Sequence, residues 1–191
     1  MTTKRAENTQ AEPTTTPAVA GSGPGGIGTG VAFAWALSVQ TVINAVSFVP
    51  GVGPGALLAG QPIGLRLAAA LLGVVFAGVV FTQGEALRRG RRVAWIIQIA
   101  ANALLVLFGL TVVPGAVTSL GKGRVGDLVV AVVLLIVSPL IVWLLTRKRT
   151  RAWIASVSSA EARARHGGTW LLWIALWAII GGTAIAFAGY Y

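Results

Sequence analysis

The sequence predicts an all-α integral membrane protein, a bundle of about five transmembrane helices behind a disordered N-terminal tail. Three observations lead there. Of the 191 residues, 55% are hydrophobic and 10% charged, where soluble domains carry roughly a quarter charged residues. The apolar residues fall into long uncharged runs rather than alternating with polar ones, so the solvent they imply is hydrocarbon. The fifteen lysines and arginines, part of a net charge of +10, lie between these runs. That is the pattern of membrane topology rather than the clustered footprint of nucleic-acid binding.

Residues 1–30, rich in Thr, Pro, Gly and Ala with no apolar periodicity, bury too little surface to offset the entropy of ordering and read as a disordered cytoplasmic tail. A secretory signal has a basic start followed at once by an apolar core. Here Lys4 and Arg5 are followed by polar sequence to about Gly30, so the first apolar segment is expected to be retained. The run GSGPGGIGTG from Gly21 to Gly30 lacks the preceding strand and following Lys of a phosphate-binding loop and reads as linker.

Crossing roughly 30 Å of hydrocarbon takes about twenty helical residues. Five runs in the domain 31–191 have that length, at about 31–49, 63–83, 93–113, 128–145 and 169–188. The first is the most polar, carrying Gln40, Thr41, Asn44 and Ser47, and the PGVGPG of Pro50 to Gly55 ends it. The RRGRR of Arg88 to Arg92 separates the second from the third, and Pro114-Gly115 is expected to end the third. Pro139, after Ser138, is expected to kink the fourth. Between the fourth and fifth, Ser158 and Glu161 have capping-box spacing and Gly167 offers a stop, which predicts a short surface helix.

Cations are retained on the cytoplasmic side of short loops. Twelve of the fifteen fall in the tail, the second loop and the fourth loop; the rest are Arg66, Lys122 and Arg124. Five spans therefore place the N-terminus in the cytoplasm and Tyr191 outside, and the simplicity of the chain fits a plasma (inner) membrane. Trp95, Trp143, Trp153 and Trp170 fall near the cytoplasmic span ends, and Tyr190 and Tyr191 near the other, as amphipathic rings prefer. A shift of 58 residues aligns Gln40, Asn44 and Ala45 with Gln98, Asn102 and Ala103, and Arg66 with Arg124. This raises a two-helix repeat, 31–92 and 93–150, of the parallel type.

Polar residues inside a span face protein or water. Gln40 with Asn44, and Gln98 with Asn102, each share a helix face, so they form either a solute-lining stripe between spans one and three or interhelical hydrogen bonds worth about 0.6 kcal/mol each. Small residues at every fourth position, Ala69, Gly73 and Ala77 in span two and Ala178, Gly182 and Ala186 in span five, are packing seams that serve either one chain or an oligomer. Trp170, Trp173 and Trp177 share one face of span five, expected to meet lipid or fill packing.

Catalysis is not expected. The acids are Glu7, Glu12, Glu85, Asp127 and Glu161, each with an ordinary place in the tail, at a span end or in a helix cap, whereas acid-base chemistry needs a positioned pair. With no cysteine and His166 as the sole imidazole, neither a disulfide nor a zinc site can be assembled, and no cofactor or metal is expected. The implied partners are the bilayer and its anionic headgroups, met by Arg88, Arg89, Arg91, Arg92, Arg147, Lys148, Arg149 and Arg151 at about 1 kcal/mol each, with a homo-oligomer or a membrane-protein partner open and no nucleic acid. Trp153 and Ile154 beside the fourth-loop cations suggest a segment that docks on the membrane surface. The function expected is that of a polytopic, non-enzymatic structural, accessory or partner-binding membrane component; the rival is a small-solute transporter or channel subunit acting as an oligomer.

Overall fold

The computed structural model describes residues 24–121 and 125–188, and among them every regular element is helical. The elements are α1 (Gly25–Phe48), a 3-10 turn (Gly53–Leu58), α2 (Ile63–Arg88), α3 (Arg92–Leu120), α4 (Val125–Val132), a π turn (Val133–Val137), α5 (Ser138–Thr146), α6 (Lys148–Ser156), α7 (Ser159–Arg165) and α8 (Gly168–Ala188). Five stretches are long and apolar enough to cross a membrane: Gly25–Phe48, Ile63–Arg88, Arg92–Ser119, Gly126–Thr146 and Gly168–Ala188. The protein is a polytopic, all-α membrane bundle.

α1 is the central helix, packed along α2 on one side and α8 on the other and touching α5. It begins at Gly25, so residues 25–30 are not linker, and the tail expected through 30 gives way to helix six residues early. Tertiary packing overrides the weak helix propensity of glycine here. A Cβ on Gly26 would lie 2.7 Å from the Leu144 carbonyl oxygen, and one on Gly28 3.3 Å from the Trp170 ring. Glycine is what lets α1 enter the bundle at this end. The rest of the expected tail, including Lys4, Arg5, Glu7 and Glu12, lies outside the described residues, as do Lys122, Arg124, Tyr190 and Tyr191.

The two prolines behave differently from expectation. α3 runs through Pro114 and Gly115 to Leu120 instead of stopping. One missing N–H is a smaller loss than ending a helix in hydrocarbon, where every freed carbonyl would need a partner. At Pro139 the backbone widens into the π turn just before it, and Ser138 donates both its N–H and its hydroxyl, the latter at 3.2 Å, to the Val133 carbonyl. A wide turn accommodates the ring that would otherwise press on the preceding turn.

The core lies toward the cationic end. Ile27 and Val31 of α1, Leu87 of α2, Ala94 of α3, and Ile141 and Leu145 of α5 form one buried cluster, joined by Ile154 from the loop after α5. At the opposite end Arg66, one of the few cations there, donates to the carbonyls of Phe48 (3.0 Å) and Val49 at the C-terminus of α1, where a cation offsets the helix dipole.

The halves that a 58-residue shift relates pack differently. Gly73 of α2 sits against Ala45 of α1, where a Cβ would come within 2.6 Å of the alanine methyl. The corresponding Ala103 is exposed, and the close approach of α3 to the following helix is made instead at Gly109, against Leu134 and Leu135.

Candidate functional site

The two amide pairs do not converge. Gln98 and Asn102 of α3 are 5% and 1% exposed, whereas Gln40 and Asn44 of α1 are half-buried on a helix that packs against α2 and α8 rather than α3. Asn102 donates from Nδ2 to the Gln98 carbonyl at 2.8 Å, one turn back on its own helix, and its Oδ1 is buried without a partner among the described residues. Between α1 and α3 lies a groove with Leu37 in one wall and Gln98 and Asn102 in the other. The bond that joins α2 to α3 comes from a residue outside these pairs, Gln83, whose Nε2 donates to the Ala94 carbonyl at 2.7 Å.

Both small-residue seams lie against α1. In α2, Gly73 meets Ala45, and Ala77 is buried with its carbonyl accepting from the Ser38 hydroxyl at 2.8 Å; Ala69 is half-buried one turn earlier. In α8, Ala178, Gly182 and Ala186 are buried, and a Cβ on Gly182 would fall onto the Ala36 carbonyl oxygen and within 2.8 Å of the Val39 Cβ. Small residues bring three backbones together around α1, where dispersion and close approach do the work that hydrophobicity cannot do in lipid. Trp173 and Trp177 stay exposed toward the lipid side, while Trp170 turns inward.

Inward from Trp170 lies the most connected polar cluster in the described residues. The imidazole of His166, 1% exposed, stacks on Trp170 with ring centroids 4.4 Å apart and tilts against Trp153 at 5.2 Å. Its Nδ1 is 3.2 Å from the Arg88 carbonyl, and Arg88 Nη1 donates to the His166 carbonyl at 2.8 Å. Arg88 also donates through Nε and Nη2 to both carboxylate oxygens of Glu85, at 2.6 and 2.7 Å, and Arg89 adds a 2.8 Å bond to Glu85. The reciprocal pair links the end of α2 to the end of α7. The bidentate fork of the Arg88 guanidinium on the Glu85 carboxylate leaves Nη1 for this link.

Neighbouring contacts close the same end. Thr150 donates to the Leu144 carbonyl at 2.9 Å and the Trp95 indole to the Leu145 carbonyl at 3.0 Å, so two side chains satisfy the free carbonyls at the end of α5. Ser158 accepts from the Glu161 N–H at 3.2 Å, the capping contact its spacing predicts. Gly90, at φ +73°, turns the chain from α2 to α3 where a Cβ would lie 2.7 Å from Val157. The fourth loop thus folds into two helices, α6 and α7, rather than one. Ile154 is buried in the protein's own core, so it is not free to insert into a membrane surface, while Trp153 is half-buried.

This geometry sorts the eight cations expected at anionic headgroups. Arg88 is withdrawn, its side chain only 13% exposed and occupied by Glu85 and His166. Arg89 is half-buried and tied to Glu85, and Arg147 lies over the Trp143 ring at 3.6 Å. Arg91, Arg92, Lys148, Arg149 and Arg151 are exposed. Sequence reasoning missed the roles of His166, Thr150 and Arg88; the one local signal was a lone histidine followed within four residues by a tryptophan.

Burial holds the His166 imidazole below its ordinary pKa, helped by the nearby charges of Arg88 and Arg165 and opposed by the bond to the Arg88 carbonyl. The unfolded chain therefore takes up a proton first as pH falls below about 6.5, and folded stability drops from there until the depressed pKa is reached, below which it levels out. Thermal midpoints in detergent should fall between pH 7 and 5.5 in the natural protein and stay flatter in His166→Gln. Equal slopes in the two would refute the assignment.

Among the described residues no three metal-ligating side chains gather. A mostly apolar groove of about 710 Å³ lies between α1, α2 and α3 with Gln98 and Asn102 in its wall; another, of about 480 Å³, is apolar and lies between α1, the π turn, α5 and α8. No protein-family model matches the chain, and neither a curated protein nor a solved structure is significantly similar to it.

Proposed function

We propose that the chain is a non-enzymatic structural or accessory component of a plasma membrane that serves by binding other membrane components, with its N-terminus in the cytoplasm and its C-terminus outside. The observation that carries this reading is the arrangement around α1: both small-residue seams close onto it, and it packs along α2 and α8 rather than α3. What remains outward on α2 and α8 is large and apolar, as on Phe76, Phe81 and Leu172, a surface suited to lipid or to another apolar helix. Glu85, the one acid at the core end beside a pocket, is engaged by Arg88 and Arg89, and no second titratable group stands beside it as an acid-base partner among the described residues, which supports a role without chemistry. The orientation is supported by the clustering of Arg88 to Arg92 and Arg147 to Arg151 at one end of the bundle, held together by the contacts of Trp95 with Leu145 and Arg88 with His166.

A solute transporter is the second reading, favoured by the groove in which Gln98 and Asn102 lie. Single cysteines at Gln40, Gln98 and Lys148 of this cysteine-free chain separate the two under a membrane-impermeant thiol reagent. The accessory reading expects Gln40→Cys and Gln98→Cys to be protected and Lys148→Cys to react only from the cytoplasmic side. Reaction at either intramembrane position would replace it with transport, and reaction of Lys148→Cys from outside would reverse the orientation.

A further inference from the structure

We propose that the groove between α1, α2 and α3 is a binding site for one anionic phospholipid, with an acyl chain lying in the groove and the phosphate held at its mouth by Arg91 with Arg89. The proposal goes beyond the accessory reading and does not depend on which component the protein serves.

The groove wall is hydrocarbon: Phe33 and Leu37 from α1, Phe76 and Val80 from α2, and Ile97 and Leu104 from α3. Gln98 and Asn102 are so deeply buried that they add little polar surface. At its upper end the groove is continuous with a smaller pocket of about 190 Å³ lined by Thr82, Glu85, Ala86, Arg89 and Arg91; Thr82, Ala86 and Arg91 line both. A single cleft therefore runs from an apolar trough to a charged mouth, the amphipathic order of a lipid.

Charge at the mouth favours an anion. Glu85 is the one acid there, and its carboxylate is already saturated by Arg88 and Arg89. Arg91 is exposed and makes no ion pair among the described residues. It also occupies the N-cap of α3 without a side-chain cap bond, so the free N–H groups of the first turn and the positive end of the helix dipole face the same place. The guanidinium fork suits phosphate.

Dimensions suit an acyl chain. Arg91 and Leu105, at the two ends of the α3 wall, are separated by about 21 Å along the axis at 1.5 Å per residue, enough to cover one leaflet of about 15 Å, half the hydrocarbon thickness. The groove's 710 Å³ lies within the roughly 300–1,000 Å³ of sites that take one small ligand.

Native mass spectrometry of the full-length protein, with phosphatidylglycerol or phosphatidylcholine added at equal amounts, tests the site. The natural protein should retain one phosphatidylglycerol in preference to phosphatidylcholine. Arg91→Gln should cut that preference about fivefold, the equivalent of about 1 kcal/mol for one cation, while Lys148→Gln on α6 should not. Ala101→Phe, which fills the groove without touching the arginines, should lower retention of both lipids; the smaller Ala101→Leu serves if the bulkier variant does not fold, and an unchanged thermal midpoint marks a folded variant. Equal binding of the two lipids, an Arg91→Gln protein with the natural preference, or a folded groove-filled variant that retains lipid normally would each overturn the proposal. So would a dimer that dissociates on filling the groove and excludes lipid, which would assign the groove to a second copy.

Discussion

Gly182→Ala should unfold at a distinctly lower temperature than the natural protein, while Gly181→Ala, one residue away, should not. In an isolated helix both changes would stabilise by about 0.5–1 kcal/mol. In the bundle the added methyl at 182 lands on the Ala36 carbonyl oxygen and 2.8 Å from the Val39 Cβ, whereas the nearest atom to a methyl at 181 is the Ala36 Cβ at 3.8 Å, an ordinary contact. The obstacle at 182 is backbone, which has no rotamer to yield, so α8 must move away from α1. Overpacking of this kind costs about 1–3 kcal/mol, and the lost contacts of Ala178 and Ala186 add to it. The two variants compared by thermal unfolding in detergent isolate the close approach from helix propensity, and coincident midpoints would mean that α8 does not seat on α1 through Gly182.

The second large effect is expected at Arg88. Arg88→Leu removes a bidentate ion pair with Glu85 and the bond to the His166 carbonyl, leaving that carbonyl short of a donor beside a buried imidazole. Charge-assisted bonds in such surroundings are worth about 1.5–3 kcal/mol, and a loss of about 2–3 kcal/mol is expected. Arg89→Leu removes one bond from a side chain 41% exposed, for which about 0–1 kcal/mol is expected. The same pair predicts a difference in local opening, because Arg88 ties α2 to the end of α7 and Arg89 pairs within α2 and its cap: limited trypsin should cut between 147 and 165 faster in Arg88→Leu than in Arg89→Leu. Equal cleavage and equal midpoints would show that α6 and α7 are held without this tie.

The spans were legible because hydrophobic length is a local property: each run of about twenty uncharged residues announces itself without knowledge of its neighbours. The capping contact of Ser158 with Glu161 was legible for the same reason, its two members being three residues apart. What failed was long-range. Glycine at 26, 28 and 30 argues against a helix until Leu144, Trp170 and Leu87 are known to lie where side chains would have been. The spacing of Gln40 with Asn44 shows that they share a face but not which helices α1 packs against, which are α2 and α8. Arg88 and His166 are 78 positions apart, so nothing adjacent to either residue indicated the other. A topological count of cations likewise groups Arg88 with Arg91, although one is locked into the protein and the other is exposed at a cleft.

The seating of α8 on α1 bears on how the protein is made. Chain elongation adds about 5–20 residues per second, so the roughly 146 residues between Ala36 and Gly182 put about 7–30 s between the emergence of the first surface and that of its partner. For much of that interval α1, with four glycines in its opening turns weakening it by about 2–4 kcal/mol relative to alanine, lacks one or more of the neighbours, from Leu87 to Trp170, that pack against those turns. The first spanning helix of the described residues is thus among the last of them to reach its final form.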